Sequence, residues 1–293
     1  MCSEPRSVRR GSTPHACNAR IGGVITVLAL VVLAVVVTLL APFLFARGTW
    51  WLRHPQIALR SWMTALIVAA GSLLLSVGIA AVMVASNAHL HGLGAPAAGL
   101  FAWCGLGVAG GVAALLVANA EPISAAKHRT DVAVTLLVAR STVRVERIGG
   151  QEVAYLRSAD PIACSTADGR VLISTGVEDA MPRGCVRAVI EHERSHVLGR
   201  HDFIARIAAL NAAAFPRLRT AQEFRRTVAL LIELVADDAA VRVCGPATVC
   251  NALTLMDRID PNPGLALRAA RLAGATVKTW PHRRRLAPLV RPH

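Results

Sequence analysis

Two histidines four residues apart, His192 and His196, with Glu193 beside the first, stand in the stretch "VIEHERSHVLGRHD" from Val189 to Asp202. On a helix, positions i and i+4 project from one face a turn apart, so both imidazoles reach one metal ion from a rigid support. Glu193 lies about 100° round from His192. There it is poorly placed to ligate and well placed to hold an activated water and take its proton. An H-E-x-x-H pattern also arises by chance, so a third ligand decides, because a catalytic zinc usually has three protein ligands and one open position. Farther along, "LLIELVADDAAV" (Leu230 to Val241) embeds Glu233 in the otherwise apolar run Val228 to Ala236. A buried carboxylate without a partner is costly, and a metal ion would supply one. Asp237 stands at i+4 on the same face, placed to accept the second N–H of a ligand histidine and hold its tautomer. The bland alternative makes Glu233 and Asp237 a solvated polar stripe. His201, five residues past His196, is expected off the metal-binding face as a surface helix residue, with an oxyanion or substrate contact as the alternative. Tyr155 is a phenol able to donate to an oxyanion, with no pattern that places it there.

Those residues need positioning elements. Gly184 to Gly199 reads as a helix, with Val186, Val189, Ile190 and Val197 apolar and Pro182 near its first turn. Ala221 to Val241 is a second helix, whose small Ala236 and Ala240 allow close approach to the first. Pro246 to Ile259 and Leu265 to Ala273 are shorter ones. Phe203 to Phe215 is too short to span a bilayer and reads as a core helix or one grazing the membrane. Upstream, Thr142 to Ile148 and Glu152 to Ser158 flank Gly149-Gly150, a hairpin signal. A third strand, Arg170 to Thr175, comes after the turn Ala167 to Gly169. Strands followed by helices argue a compact α+β domain, expected over 121–274.

The opening third is nearly all hydrocarbon. The chain has 293 residues, 54% hydrophobic and 17% charged, too apolar for a typical soluble protein. No charged residue stands between Arg20 and Arg47, and a second uncharged run from Ser61 to Ala120 is split by "NAHLHGLGAP" (Asn87 to Pro96). Three membrane spans are expected, about 21–45, 61–86 and 97–119, after an N-terminal tail 1–20. The first exceeds the apolar length of ~7 to 15 residues usual for a secretory signal, so it is expected to be retained. Placing Arg47, Arg53, Arg60, Lys127, Arg129 and Arg140 inside, against Arg6, Arg9, Arg10 and Arg20 outside, favours an outside N-terminus and a cytoplasmic C-terminal half.

Net charge of +14 raises the question of nucleic acid, but the arginines are dispersed and one tyrosine leaves little for base stacking. No direct nucleic-acid partner is expected. Arg283 to Arg285, in the basic tail 275–293, suit an anionic inner leaflet instead. Seven cysteines with no C-x-x-C pair indicate neither a disulfide framework nor a cysteine zinc site. Cys244 and Cys250, six residues apart, are too far round a helix to make a natural ligand pair and read as small core residues.

H-E-x-x-H followed by E-L-x-A-D-x-x-A (Glu233 to Ala240) resembles the gluzincin peptidases of the BlaR/MecR membrane group and their HtpX-type relatives. "RVLISTGVEDAMP" before the motif is similar to the strand and lead-in of these peptidases, and "GRHD" after it to their basic-then-acidic continuation. "ARGTWWLRHPQIALRSW" resembles the loop after the first span in actinobacterial members. The resemblance implies an α-helical membrane domain of three spans joined to an α+β gluzincin-type zinc peptidase domain. It implies one Zn2+ per chain on His192, His196 and Glu233, Glu193 as general base, and Asp237 orienting a ligand. The implied activity is endopeptidase, on a winged-helix repressor of the BlaI type or another regulatory protein, at the plasma membrane. The Arg170 to Thr175 strand would bind extended substrate along its edge. Sensor members carry a further β-lactam-binding domain with S-x-x-K. The sole S-x-x-K here, Ser124 to Lys127, precedes the peptidase region and reads as chance, so antibiotic sensing by this polypeptide is not expected. The rival reading is a non-catalytic membrane signal transducer that retains a structural zinc site.

Overall fold

The apolar segments become helices because they have nothing else to pair with: an uninterrupted run of Val, Leu and Ala satisfies its backbone internally only as a helix. The computed structural model describes residues 14–45, 48–87 and 95–274. The expected basic tail 275–293 and residues 1–13 and 88–94 lie outside the described residues. The chain divides into two units, Met1–Ala41 with Met63–Leu115, and Pro42–Trp62 with Leu116–His293.

In the first unit lie most of α1 (Pro14–Phe45), most of α3 (Pro55–Asn87) and the start of α4 (Ala95–Ser141). Two segments, Gly22–Ala41 and Pro55–Met83, are long and apolar enough to cross a membrane. Much of their aliphatic surface is exposed, Leu28, Val32 and Leu39 on α1 and Ile67, Leu74 and Val82 on α3, while Ala34 and Ala41 of α1 are buried. Helices apolar all round belong in lipid or a core, not in water. Their hydroxyls are satisfied locally, Thr26 and Thr38 donating to the carbonyls of Gly22 and Ala34 at 2.8 and 2.7 Å. Residues 97–119, the third expected span, form the first half of α4, which continues unbroken through Pro122 to Ser141.

The second unit carries a four-stranded sheet in the order β1-β2-β4-β3. β1 (Thr142–Ile148) and β2 (Gln151–Leu156) form the expected hairpin, with Gly149 and Gly150 both at positive φ. β4 (Val171–Ser174) runs parallel to β2, and β3 (Ala163–Ser165) lies antiparallel to β4. The strand expected to offer its edge, Arg170 to Thr175, is therefore interior, because β3 pairs with its outer side, and the edges are β1 and β3. Alternation puts Val153, Tyr155, Val171 and Ile173 on one face, against Val186, Val189 and Ile190, and Ala154, Leu156 and Leu172 on the other, against Val134 and Val138 of α4. With both faces covered, β4 is buried throughout.

Six helices complete the second unit: α5 (Thr175–Ala180), α6 (Arg183–Leu198), α7 (His201–Ala214), α8 (Arg219–Cys244), α9 (Pro246–Ile259) and α10 (Pro263–Leu272). Ala236 and Ala240 of α8 are fully buried, which suits a close helix crossing. α7 buries Ala208, Ala212 and Ala214 against the rest of the unit and leaves Phe203 exposed. Cys244 and Cys250 belong to different helices, separated at Gly245, and both are half-buried. The short segment α2 (Trp50–Arg53) and the start of α3 also belong here. The Trp62 and Phe224 rings sit 5.5 Å apart, and Arg271 donates to the Leu52 carbonyl at 3.0 Å and pairs with Asp238 at 2.5 Å.

The loop between β2 and β3 is pinned by the corner Ser174-Thr175-Gly176. Ser174 Oγ accepts from the Ile162 and Val177 amides and donates to the Asp160 carbonyl, while the Gly176 amide donates to the Ser158 carbonyl at 2.8 Å. A methyl at Gly176 would overlap the backbone of Ala159 and Asp160, which cannot swing aside as a side chain does. Gly176→Ala is therefore expected to cost about 1–3 kcal/mol, read as a lower melting temperature of the detergent-solubilised chain. An unshifted melting curve would show that the loop yields freely.

Candidate metal centre

α6 presents His192 and His196, and α8 presents Glu233, from helices packed directly together. Nε2 of His192 lies 3.1 Å from Nε2 of His196, and the two carboxylate oxygens of Glu233 lie 3.4 and 3.7 Å from these nitrogens in turn. Donor atoms about 2.0–2.2 Å from a tetrahedral zinc would stand roughly 3.3–3.6 Å from one another, within about 0.2 Å of the observed spacings. His192, His196 and Glu233 are the one group of this kind among the described residues. The nitrogen and oxygen donor set suits a divalent ion of zinc type.

Asp237 Oδ1 is 3.0 Å from His192 Nδ1, leaving Nε2 of that ring for the metal. Other neighbours come from elements that the H-E-x-x-H and E-L-x-A-D spacings do not reach. Arg268, buried on α10, donates to both oxygens of Asp237 at 2.8 and 2.6 Å and to Glu233 Oε2 at 2.7 Å. Its Nη2 stands 3.4 Å from either nitrogen of His192. A readable signal existed: Leu265, Arg268 and Leu272 share the stripe of α10 that faces inward, and an arginine in an apolar stripe requires a buried acid. Ser165 on β3 lies close enough to the Glu193 carboxyl to favour its charged form, a neighbour hidden in sequence because β3 is three residues long.

His201 corrects its expectation. It is buried, 3% exposed, and its Nδ1 lies 3.2 Å from Nδ1 of His196. Helix α6 stops at Leu198, and Arg200 adopts the left-handed conformation at φ 49°, so the next residue turns back towards α6. Tyr155 lies under the sheet, its hydroxyl 3.2 Å from Glu146 and its ring beneath the Arg144 guanidinium. Ser124 donates to its own helix and Lys127 pairs with Asp131 and Asp202, so the S-x-x-K match forms no nucleophile pair.

Arg194 anchors the hairpin to α6. It pairs with buried Glu191, which also binds Arg187 at 2.7 Å, and donates to the Gly149 carbonyl at 3.0 Å.

Burial pushes the Glu193 carboxyl up from its ordinary value, and Glu233 adds to that while His192 opposes it. Burial also opposes ionisation of Glu233, but Arg268 and His192 outweigh it and hold this carboxyl well below the usual range. His196 is pushed down to about 3, by burial first and by His192 next. For His192, burial is overcome by the hydrogen bonds to Asp237 and Glu233, which raise it to about 9. Without metal, His192 therefore carries a proton at neutral pH, and a metal ion must displace it. Apparent metal affinity is expected to rise about tenfold per pH unit from pH 6.5 towards 9 and then level off, measured by competition with a chromophoric chelator. A flat profile over that range would show that no ligand proton is displaced.

A cavity of about 140 Å³ opens on this cluster, lined by His192, Glu193, Glu233 and Arg268 and on its apolar side by Leu253 and Met256 of α9. No family model, curated protein or solved structure matches the chain.

Proposed function

We propose that the chain is an integral-membrane, zinc-dependent endopeptidase. The observation that carries this is Glu193: a carboxyl raised by burial, on the same helix as the two convergent histidines and lining one cavity with His192 and Glu233. A structural zinc site is closed by four protein ligands and has no use for such a neighbour, whereas three ligands leave a position open for chemistry. The resemblance to BlaR/MecR-type peptidases supports the same reading.

A metal ion held by His192, His196 and Glu233 would supply Lewis acidity, activating water and polarising a peptide carbonyl. Glu193 would accept a proton from an attacking water and return it to the leaving amine. Ser165 favours the charged form of Glu193, Asp237 fixes the His192 tautomer, and Arg268 helps keep Glu233 and Asp237 ionised. An extended substrate adds to β3, the sheet edge beside the cavity, in place of interior β4.

The anchor is read as three spans, with 97–119 as the third, and the peptidase unit as cytoplasmic on the distribution of arginine and lysine. A regulatory protein, such as a winged-helix repressor, is the substrate class this setting favours. The test compares the proteomes of cells carrying the parent chain and Glu193→Gln. Substrates that persist uncleaved only in the variant support hydrolysis. An identical cleavage pattern, with zinc bound in both, favours the non-catalytic transducer.

A further inference from the structure

We propose that His201 is a positioning residue for the metal ligand His196, accepting the Nδ1–H of that ring as Asp237 accepts the Nδ1–H of His192. The inference rests on the metal-centre reading and adds to it a second orienting contact.

The geometry is specific about which nitrogens are used. The Nε2 atoms of His192 and His196 converge at 3.1 Å beside Glu233, so Nδ1 of each ring points away from the shared point. A histidine that binds metal through Nε2 carries its proton on Nδ1, and that N–H needs an acceptor which also sets the ring's rotation. For His192 the acceptor is Asp237, at 3.0 Å. For His196 the atom in that place is Nδ1 of His201, at 3.2 Å, with the two rings meeting at 90°. His201 fills the role as the neutral tautomer protonated on Nε2, whose Nδ1 lone pair is free to accept.

Two features of the backbone show that this placement is built. Arg200 is the one non-glycine residue with positive φ among the described residues, and it turns the chain so that His201 faces back along α6. Gly199 then leaves room for the ring: a methyl there would overlap Nε2 and Cδ2 of His201. Its own backbone is ordinary, φ −80°, so an alanine meets no conformational objection and its steric conflict is chiefly with the histidine ring.

The two acceptors differ in charge. Asp237 is an anion already shared with Arg268, whereas His201 is neutral and adds no negative charge to a site that Glu233 and Asp237 supply. It therefore orients His196 without strengthening the field on the metal.

The test uses the full chain in detergent and three variants, with zinc affinity read by chelator competition and ligand geometry by the visible spectrum of the Co2+-loaded protein. His201→Phe keeps a ring of similar size and removes the acceptor. His201→Asn returns an acceptor oxygen near the position of Nδ1. Gly199→Ala displaces the ring without altering it. Expected is a loss of zinc affinity of about 10- to 100-fold in His201→Phe and Gly199→Ala, an altered Co2+ spectrum in both, and recovery in His201→Asn to within about threefold of the parent. Parent-like affinity and spectrum in His201→Phe would overturn the inference while leaving the metal centre standing. A lower melting temperature of metal-free His201→Phe with an unaltered Co2+ spectrum would also overturn it, by assigning His201 to packing alone. If the parent itself takes up no metal, the metal-centre reading fails and this inference falls with it.

Discussion

Glu193→Gln is expected to bind zinc as the parent does and to lose peptide hydrolysis by about 10²- to 10⁴-fold, the range over which a positioned general base acts. Glutamine has nearly the same shape, so the cavity wall survives, but an amide cannot take a proton from water. The ligand set is untouched, because the donor atoms are those of His192, His196 and Glu233. Glu233→Gln provides the contrast, weakening metal uptake together with activity. A pH profile adds a second constraint. Hydrolysis needs Glu193 ionised, so the acid limb reports the balance between burial, which raises this carboxyl, and the divalent ion on His192 and His196, which would lower it. Full activity in Glu193→Gln would sink the peptidase mechanism. Loss of zinc along with activity would mean that Glu193 serves to hold the metal.

The part of the centre visible in sequence is the part that helical geometry encodes locally. His192 and His196 share a face because of the 3.6-residue period, and Glu233 and Asp237 share one for the same reason. That the two faces meet is inferable from a carboxylate in an apolar run and from the small residues Ala236 and Ala240. Helix α9 keeps to its expected bounds, Pro246 to Ile259, because proline opens it and glycine precedes it. What escapes depends on events too short for periodicity to register. β3 has three residues, fewer than any alternation needs, and it moves the sheet edge from β4 to the side of the cavity. A continued helix would carry His201 at i+5 away from the metal-binding face. A single left-handed residue, Arg200, overturns that arithmetic, and Gly199 beside it is the only hint. The participation of 42–62 in the second unit is likewise a long-range fact, carried by contacts such as Arg271 with the Leu52 carbonyl.

Arg268→Met is expected to destabilise the metal-free protein by about 3–5 kcal/mol, the usual cost of removing one partner from a buried ion pair. Methionine approximates the length of the stem and none of its charge. Asp237, with no exposed side-chain surface, would keep the His192 contact and lose both hydrogen bonds from the guanidinium, and Glu233 would lose its one. Arg268→Lys retains charge without the planar fork that serves two acids at once, so it should fall between parent and Arg268→Met. Zinc changes the comparison. A divalent ion at His192, His196 and Glu233 compensates the Glu233 charge that Arg268 and protonated His192 otherwise balance, and in the variant it no longer faces a guanidinium 3.4 Å from a ligand ring. Saturating zinc is therefore expected to raise the melting temperature of Arg268→Met by more than it raises the parent's, since any species that binds only the folded state adds stability in proportion to the logarithm of its saturation. Parallel melts with and without zinc decide the matter. If metal-free Arg268→Met melts with the parent, the arginine is not what keeps the two acids together. If zinc raises both proteins equally, Arg268 and the metal do not share the charge of Glu233. The expected result is a protein whose fold has come to depend on its metal, because the residue that holds the ligands together in the absence of metal has been removed.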